Sequence, residues 1–291
     1  MTFHGSLVAI ITPFRNGRID EKALGDLIEW QIANGTDGIV PCGTTGESAT
    51  LTHEEHKRVV EFTIEVVKRR VPVIAGTGSN ATDEAIELTR HARSVGADAA
   101  LLISPYYNKP TQEGLYRHHK AIAEAVEIPQ ILYNIPGRTA VNMPPATVAR
   151  LATLKNIVGI KEGAGSLQQV SEIVQACGDR FTVLSGDDAL TLPMMAVGAR
   201  GVITVTANVA PADMAAMVDA WEAGNTAKAR ALHFKLYPLF QALFFETNPV
   251  PVKHALALMD RATADVRLPL CAMSQENLDK LTRVMKDYGL V

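Results

Sequence analysis

Short runs of aliphatic and β-branched residues alternate with helical stretches along most of this chain, and that alternation constrains its fold more than any other feature. The runs are LVAIITP from Leu7, GIVPCG from Gly38, VPVIAGTG from Val71 and AALLISPYY from Ala99, then PQILYNIP from Pro129, IVGIKEGAG from Ile157, FTVLSGDD from Phe181 and GVITVTAN from Gly201. Continuous apolar runs suit strands buried on both faces, as in a parallel sheet covered by helices. Helical periodicity fills the gaps, for example in DEKALGDLIEWQIANG, LTHEEHKRVVEFTIEVVKRR, ATDEAIELTRHARSVG and SLQQVSEIVQACG. Thr52 and Glu55 make a capping-box pair, and Gly35, Gly96, Gly178 and Gly224 stand where helices should stop. Eight such units over about 220 of the 291 residues predict an α/β fold, a (β/α)₈ TIM barrel; a doubly wound open sheet fits eight even units less well. Beyond Gly224 only helical patterns remain, over roughly 225–246, 251–260 and 274–288. The expected organisation is a barrel carrying the active site over 1–224 and a C-terminal helical region over 225–291.

Composition removes several function classes. The net charge of −3 comes with one dense basic cluster, Lys68-Arg69-Arg70, and three cations at a helix end suit the helix dipole better than nucleic acid. Cys42, Cys177 and Cys271 are too few and too scattered for a disulfide framework or a zinc site, which points to a reducing compartment. MTFHGSLVAIITPF lacks the basic start of a secretory signal, and no apolar run reaches the ~18 residues of a membrane span. A cytoplasmic protein with neither a membrane nor a nucleic-acid partner is the expectation.

Barrel chemistry sits at the C-terminal ends of the strands. Read in order, those ends supply Thr12, GTTGES (43–48), Gly76-Thr77-Gly78, Tyr106-Tyr107, Tyr133-Asn134, Lys161-Glu162, Asp187-Asp188 and Thr204–Thr206, with Arg138 just behind the fifth. Alternation places Ile157, Gly159 and Lys161 on one face and Val158, Ile160 and Glu162 on the other. If Lys161 faces the barrel axis, Gly159 below it leaves room for a ligand or a neighbouring ring, and desolvation lowers the amine toward ~7–8, the range of a Schiff-base nucleophile. A strand-end lysine that reaches water is the competing reading. Tyr133 is a proton-transfer partner for a lysine adduct or a half-buried tyrosine with a satisfied hydroxyl. Tyr106 and Tyr107 cannot both serve one pocket. GTTGES lacks the spacing of a P-loop; its hydroxyls and amides suit a small carboxylate, or form a tight turn.

Other patterns are set aside. GTGSNA (76–81) imitates a dinucleotide fingerprint, but Asp98 precedes its strand where the acid should end one. Asp187 and Asp188 point apart, and no acid ends the third to fifth strands to complete a magnesium site. His53 and His56 share a helix face without a third ligand, a solvated face rather than zinc. Cys42 lacks an activating signature and reads as a small buried filler. No metal is expected.

Taken together, GTTGESATL (43–51), PVIAGTGSN (72–80), PYYNKPTQEGLY (105–116), QILYNIPGRT (130–139), GIKE (159–162), LSGDD (184–188), GVITVTANV (201–209) and NPVPVK (248–253) make the chain similar over its whole length to the dihydrodipicolinate synthase family. The resemblance implies a lyase of lysine and diaminopimelate biosynthesis that condenses pyruvate with (S)-aspartate 4-semialdehyde, giving 4-hydroxy-tetrahydrodipicolinate. It implies that Lys161 forms the imine, with no cofactor, and that Thr44 and Tyr133 relay protons together with Tyr107 from a neighbouring subunit. By the same match Thr45 holds the pyruvate carboxylate, Arg138 receives the carboxylate of the second substrate, and the Ile203 carbonyl lines the pocket. Ser48, Ala49, His53, His56, Asn80, Glu84 and Tyr106 match a cleft that binds lysine as feedback inhibitor, with an ordinary polar interface as the alternative. A homotetramer, a dimer of dimers, is implied likewise. The stretch Gly163-Ala164-Gly165 departs from the family's Ala-Thr-Gly, losing a hydroxyl and loosening the loop. N-acetylneuraminate lyase and the 2-keto-3-deoxy sugar-acid aldolases share the lysine and loop, but a guanidinium fork at Arg138 suits a carboxylate rather than a polyol.

Overall fold

The structure is a computed structural model and describes residues 3–291. Its strands are β1 (Gly5–Ala9), β2 (Phe14–Arg15), β3 (Arg18–Ile19), β4 (Gly38–Val40), β5 (Ile74–Gly76), β6 (Ala99–Ile103), β7 (Gln130–Asn134), β8 (Ile157–Glu162), β9 (Thr182–Ser185) and β10 (Gly201–Thr204). The helices are α1 (Glu21–Ala33), α2 (His53–Val67), α3 (Thr82–Ser94), α4 (Gln112–Ala125), α5 (Pro136–Thr139), α6 (Pro145–Leu151), α7 (Leu167–Cys177), α8 (Thr191–Ala196), α9 (Pro211–Glu222), α10 (Thr226–Ala242), α11 (Val250–Leu258) and α12 (Gln275–Tyr288).

β2 and β3 pair as a small antiparallel hairpin. The other eight strands run parallel in the order β4-β1-β10-β9-β8-β7-β6-β5, and all eight coincide with the apolar runs. The two ends meet through a parallel bridge between Ile39 and Val73. Ile39 N donates to Pro72 O at 3.0 Å and Gly76 N to Pro41 O at 2.9 Å. The sheet is thus a nearly closed TIM barrel. Side chains such as Leu7, Ala9, Ile74, Leu101, Ile131, Leu184 and Ile203 fill its interior. A larger apolar layer lies between the strands and the surrounding helices, so both sheet faces are buried, as continuous apolar strands require.

β8 departs from simple alternation. Gln130 lies opposite Ile157 while Ile131 lies opposite Gly159, so Val158 is an extra residue, a β-bulge. Ile157 therefore packs in the helix-side layer, and Val158 packs against the interior. The expectation that Ile157 shares the face of Lys161 fails for this reason. Gly159 leaves no room for a ligand either: a Cβ there would stand 2.5 Å from Thr182 O and 3.2 Å from Thr182 Cβ. Its small size lets β9 approach.

The helix ends follow the sequence signals. The Glu55 amide donates to Thr52 Oγ1 at 3.2 Å, and the Thr52 amide donates to Glu55 Oε2 at 2.9 Å, closing the capping box. Arg70 donates to the terminal carbonyls of Val66 and Val67 and grips Glu29 with both Nη atoms at 2.7 Å. The decoy glycines are also explained. A Cβ at Gly76 would meet Cys42 O at 2.3 Å and one at Gly78 would meet Ile103 N at 2.3 Å, while Asp98 accepts from Val73 N at 2.8 Å. These glycines allow close approach of neighbouring backbone.

Candidate active site

β8 delivers Lys161 to the barrel mouth. Its side chain is only 6% exposed, and Nζ lies 4.5 Å from the centre of the Tyr133 ring, on the adjacent strand position of β7. The competing reading, an amine reaching water, is thereby removed. Burial pushes Lys161 down to about 8; Asp188 opposes that shift and Arg138 adds to it. Asp188 is itself buried, which raises its carboxyl, and its Oδ2 accepts from Thr206 N at 2.8 Å, Thr206 Oγ1 at 2.6 Å and Val205 N at 3.2 Å. Asp187 turns away and caps a turn through Ala189 N.

Glu162 points away from the interior, as alternation requires. Asn134 Nδ2 donates to both of its oxygens at 3.0 and 3.1 Å, Ala164 N donates at 2.6 Å and Gln169 Nε2 at 3.1 Å. Burial raises its carboxyl against these bonds. It is held by neutral donors, so it leaves the Lys161 charge unpaired on that side. Gly163 N also donates to Asn134 O at 2.9 Å.

The GTTGES loop faces this lysine from β4. Burial lifts the Tyr133 hydroxyl to about 12, and Arg138 and a hydrogen bond with Thr44 oppose that rise. Thr45 is buried, and Asn248 Nδ2 donates to its Oγ1 at 3.0 Å. Arg138, on α5, donates from Nη2 to Asn248 O at 3.2 Å. Ile203 is buried in the barrel interior beside Leu184 and Tyr133. Lys161, Tyr133, Thr44, Thr45, Arg138 and Ile203 are thus assembled at one end of the barrel. Tyr107 is not: it is 90% exposed with φ +72° and lies outside the pocket of its own chain.

A cavity of about 370 Å³ opens beside Thr44, Tyr133, Arg138 and Asn248 and continues past Ser48, Ala49, His53, His56, Glu84 and Tyr106. Lys161 is not in its wall, but the Tyr133 ring, 4.5 Å from the Lys161 Nζ, is. His53 Nε2 lies 2.6 Å from Glu84 Oε1, and Ser79 Oγ donates to the other Glu84 oxygen. Asn80 is not in the wall but braces it, donating to Tyr106 O at 3.1 Å. His56 is not on a solvated face, contrary to the expectation from its helix spacing. It is 5% exposed, its Nε2 lies 2.8 Å from Gly76 O, and burial lowers it to about 4. Cys42 is buried as a filler, and burial raises its thiol. Among the described residues no group of three or more His, Cys, Asp or Glu could hold a metal ion, and no helix is long and apolar enough to cross a membrane.

Three side chains that complete this mouth carry no role in the sequence reading: Asn248, Glu47 and Lys253. Asn248 and Lys253 frame NPVPVK and Glu47 lies in GTTGES, so the motifs marked the right places. Their partners, drawn from opposite ends of the chain, are visible only in the fold.

The model of the dihydrodipicolinate synthetase family matches residues 2–288. The 4-hydroxy-tetrahydrodipicolinate synthase of Syntrophus aciditrophicus is 65% identical over 289 residues, 99% of each chain. Among solved structures, the chloride-inhibited dihydrodipicolinate synthase of Acinetobacter baumannii complexed with pyruvate is 48% identical, with TM-score 0.98 over 100% of both chains. The enzyme of Cyanidioschyzon merolae with lysine bound is 39% identical, with TM-score 0.97 over 99% of both chains.

Proposed function

The chain belongs to the dihydrodipicolinate synthetase family, and from that premise we propose that it condenses pyruvate with (S)-aspartate 4-semialdehyde through an imine on Lys161. It is an enzyme of the lyase class, as its curated relatives are. The observation that carries the mechanism is the dry amine: Lys161 is buried, lowered to about 8 and placed against the Tyr133 ring. A neutral fraction at working pH is what nucleophilic attack on a keto carbon needs.

In this reading the Lys161 nitrogen adds to the keto carbon of pyruvate and water leaves, giving a protonated imine. Loss of a methyl proton gives the enamine, which attacks the aldehyde carbon. The substrate amine then adds to the imine carbon, expels Lys161 and closes the ring. The protonated imine is the electron sink, so no cofactor is invoked. Thr44 and Tyr133 pass protons, joined by Tyr107 of a neighbouring subunit. Thr45 holds the pyruvate carboxylate, Arg138 presents its guanidinium to the carboxylate of the second substrate, and the Ile203 carbonyl lines the pocket. The exposure of Tyr107 supports its use in a partner's pocket, and membership of the family supports a homotetramer built as a dimer of dimers. The product enters lysine and diaminopimelate biosynthesis in the cytoplasm. Lysine acts as feedback inhibitor from the cavity at His53, His56, Glu84 and Tyr106, with Ser48, Ala49 and Asn80 around it. The pyruvate and lysine complexes of the two relatives support both assignments.

Borohydride reduction in the presence of pyruvate is the test, with peptide mass spectrometry to find the adduct. Modification of Lys161 is expected. Full turnover with Lys161 left unmodified would end the mechanism. In the same preparation, millimolar lysine should slow the condensation; neither binding nor inhibition would remove the regulatory part.

A further inference from the structure

Glu47 occupies an unusual position for a charged residue. It lies in the left-handed region, with φ +54°, its amide donates to Thr44 O at 3.1 Å, and its residue is 4% exposed. The turn that this amide closes is the one presenting Thr44 and Thr45. A β-carbon disfavours that backbone conformation, so something must hold it. Both carboxylate oxygens are taken by the C-terminal region: Oε1 pairs with Lys253 Nζ, and Oε2 accepts from Arg267 N at 3.1 Å.

Lys253 has no exposed side-chain surface. Its Nζ donates to Asp265 O at 2.9 Å and lies 4.1 Å from the centre of the Phe14 ring. Burial lowers its amine, and the Glu47 carboxylate works against that shift. A fully buried ion pair is weak evidence for stability, because two well-packed apolar side chains often do as well. What it supplies is a conformation: the charge on each partner forbids arrangements in which the other moves away.

We infer that the Glu47–Lys253 pair is a positioning device for the keto-acid carboxylate, holding the Thr44–Thr45 turn in its binding shape from the C-terminal region. This rests on the reading that Thr45 receives that carboxylate. The pair touches no substrate; it acts through the turn.

The test compares wild type, Glu47→Gln, the double variant Glu47→Gln with Lys253→Met, and Glu47→Asp. Glu47→Asp keeps both charges while drawing the carboxylate back by one methylene. Melting temperature, KM for pyruvate and borohydride trapping on Lys161 are read for each. Glu47→Gln should melt lower, because it leaves a buried ammonium unpaired. The double variant should regain most of the melting temperature yet keep a KM for pyruvate raised about 10- to 100-fold, the scale of a small misplacement in a binding site. Glu47→Asp should raise KM similarly while melting above Glu47→Gln, because both charges remain. A wild-type KM in the folded double variant or in Glu47→Asp overturns the inference, leaving the pair a structural one. Absence of trapping in wild type would instead remove the underlying reading.

Discussion

At the scale of a single residue, the decisive quantity is the protonation of Lys161. Its amine is pulled from the ordinary 10.5 to about 8, so its neutral fraction at pH 7 is about one-tenth and increases with pH. Pyruvate-dependent trapping should therefore accelerate about tenfold per pH unit below 8 and level off above it. Stopped-flow or quench measurement of imine formation from pH 6 to pH 9.5 checks this. A profile still climbing about tenfold per unit at pH 9.5 would mean an amine still surrounded by water. Lysine at the end of an apolar run was legible in the sequence because IVGIKEGAG leaves it no polar neighbour on its own face. Burial sets the shift, and Asp188 and Arg138, which temper and add to it, come from distant stretches of chain that only the barrel brings near.

Among elements, β8 shows how a small irregularity aims the Lys161 side chain. The bulge at Val158 resets the alternation, and Gly159 then lets β9 close on the strand that bears the amine. Gly159→Ala should cost about 1–3 kcal/mol, the range for overpacking a tight interior, because the nearest atom is the Thr182 carbonyl of the backbone and cannot swing aside. Urea unfolding measures the loss, and an unchanged midpoint would mean that β9 is free to shift. Eight strands were legible from apolar runs alone. Helix starts and stops such as Thr52 and Arg70 were too, since they are local. A bulge is not local: it is fixed by which residue the neighbouring strand opposes, and a two-residue alternation carries no trace of that choice.

Over the whole molecule, buried neutral histidines link stability to acid. His118 and His119 lie edge to face with ring centroids 5.0 Å apart; His118 is lowered to about 4 and His119 well below its usual value, both by burial. The unfolded chain takes up protons on these groups below about 6.5 while the folded chain refuses them, so their contribution to stability falls from pH 6.5 toward 4. Replacing both His118 and His119 by Leu should flatten that part of the curve of melting temperature against pH; an identical slope would clear the pair of any part in it. The C-terminal helices were legible as helices, yet their contact with the mouth was not, because no periodicity reports a salt bridge between Glu47 and Lys253. That bridge has a consequence for the order of events during synthesis. A polypeptide emerging from the ribosome displays every barrel strand by Thr204, but the partner that pairs with Glu47 waits for Lys253. On the proposed role of the pair, competence to bind the keto acid should therefore be acquired only after Lys253 has been made, well after the last barrel strand.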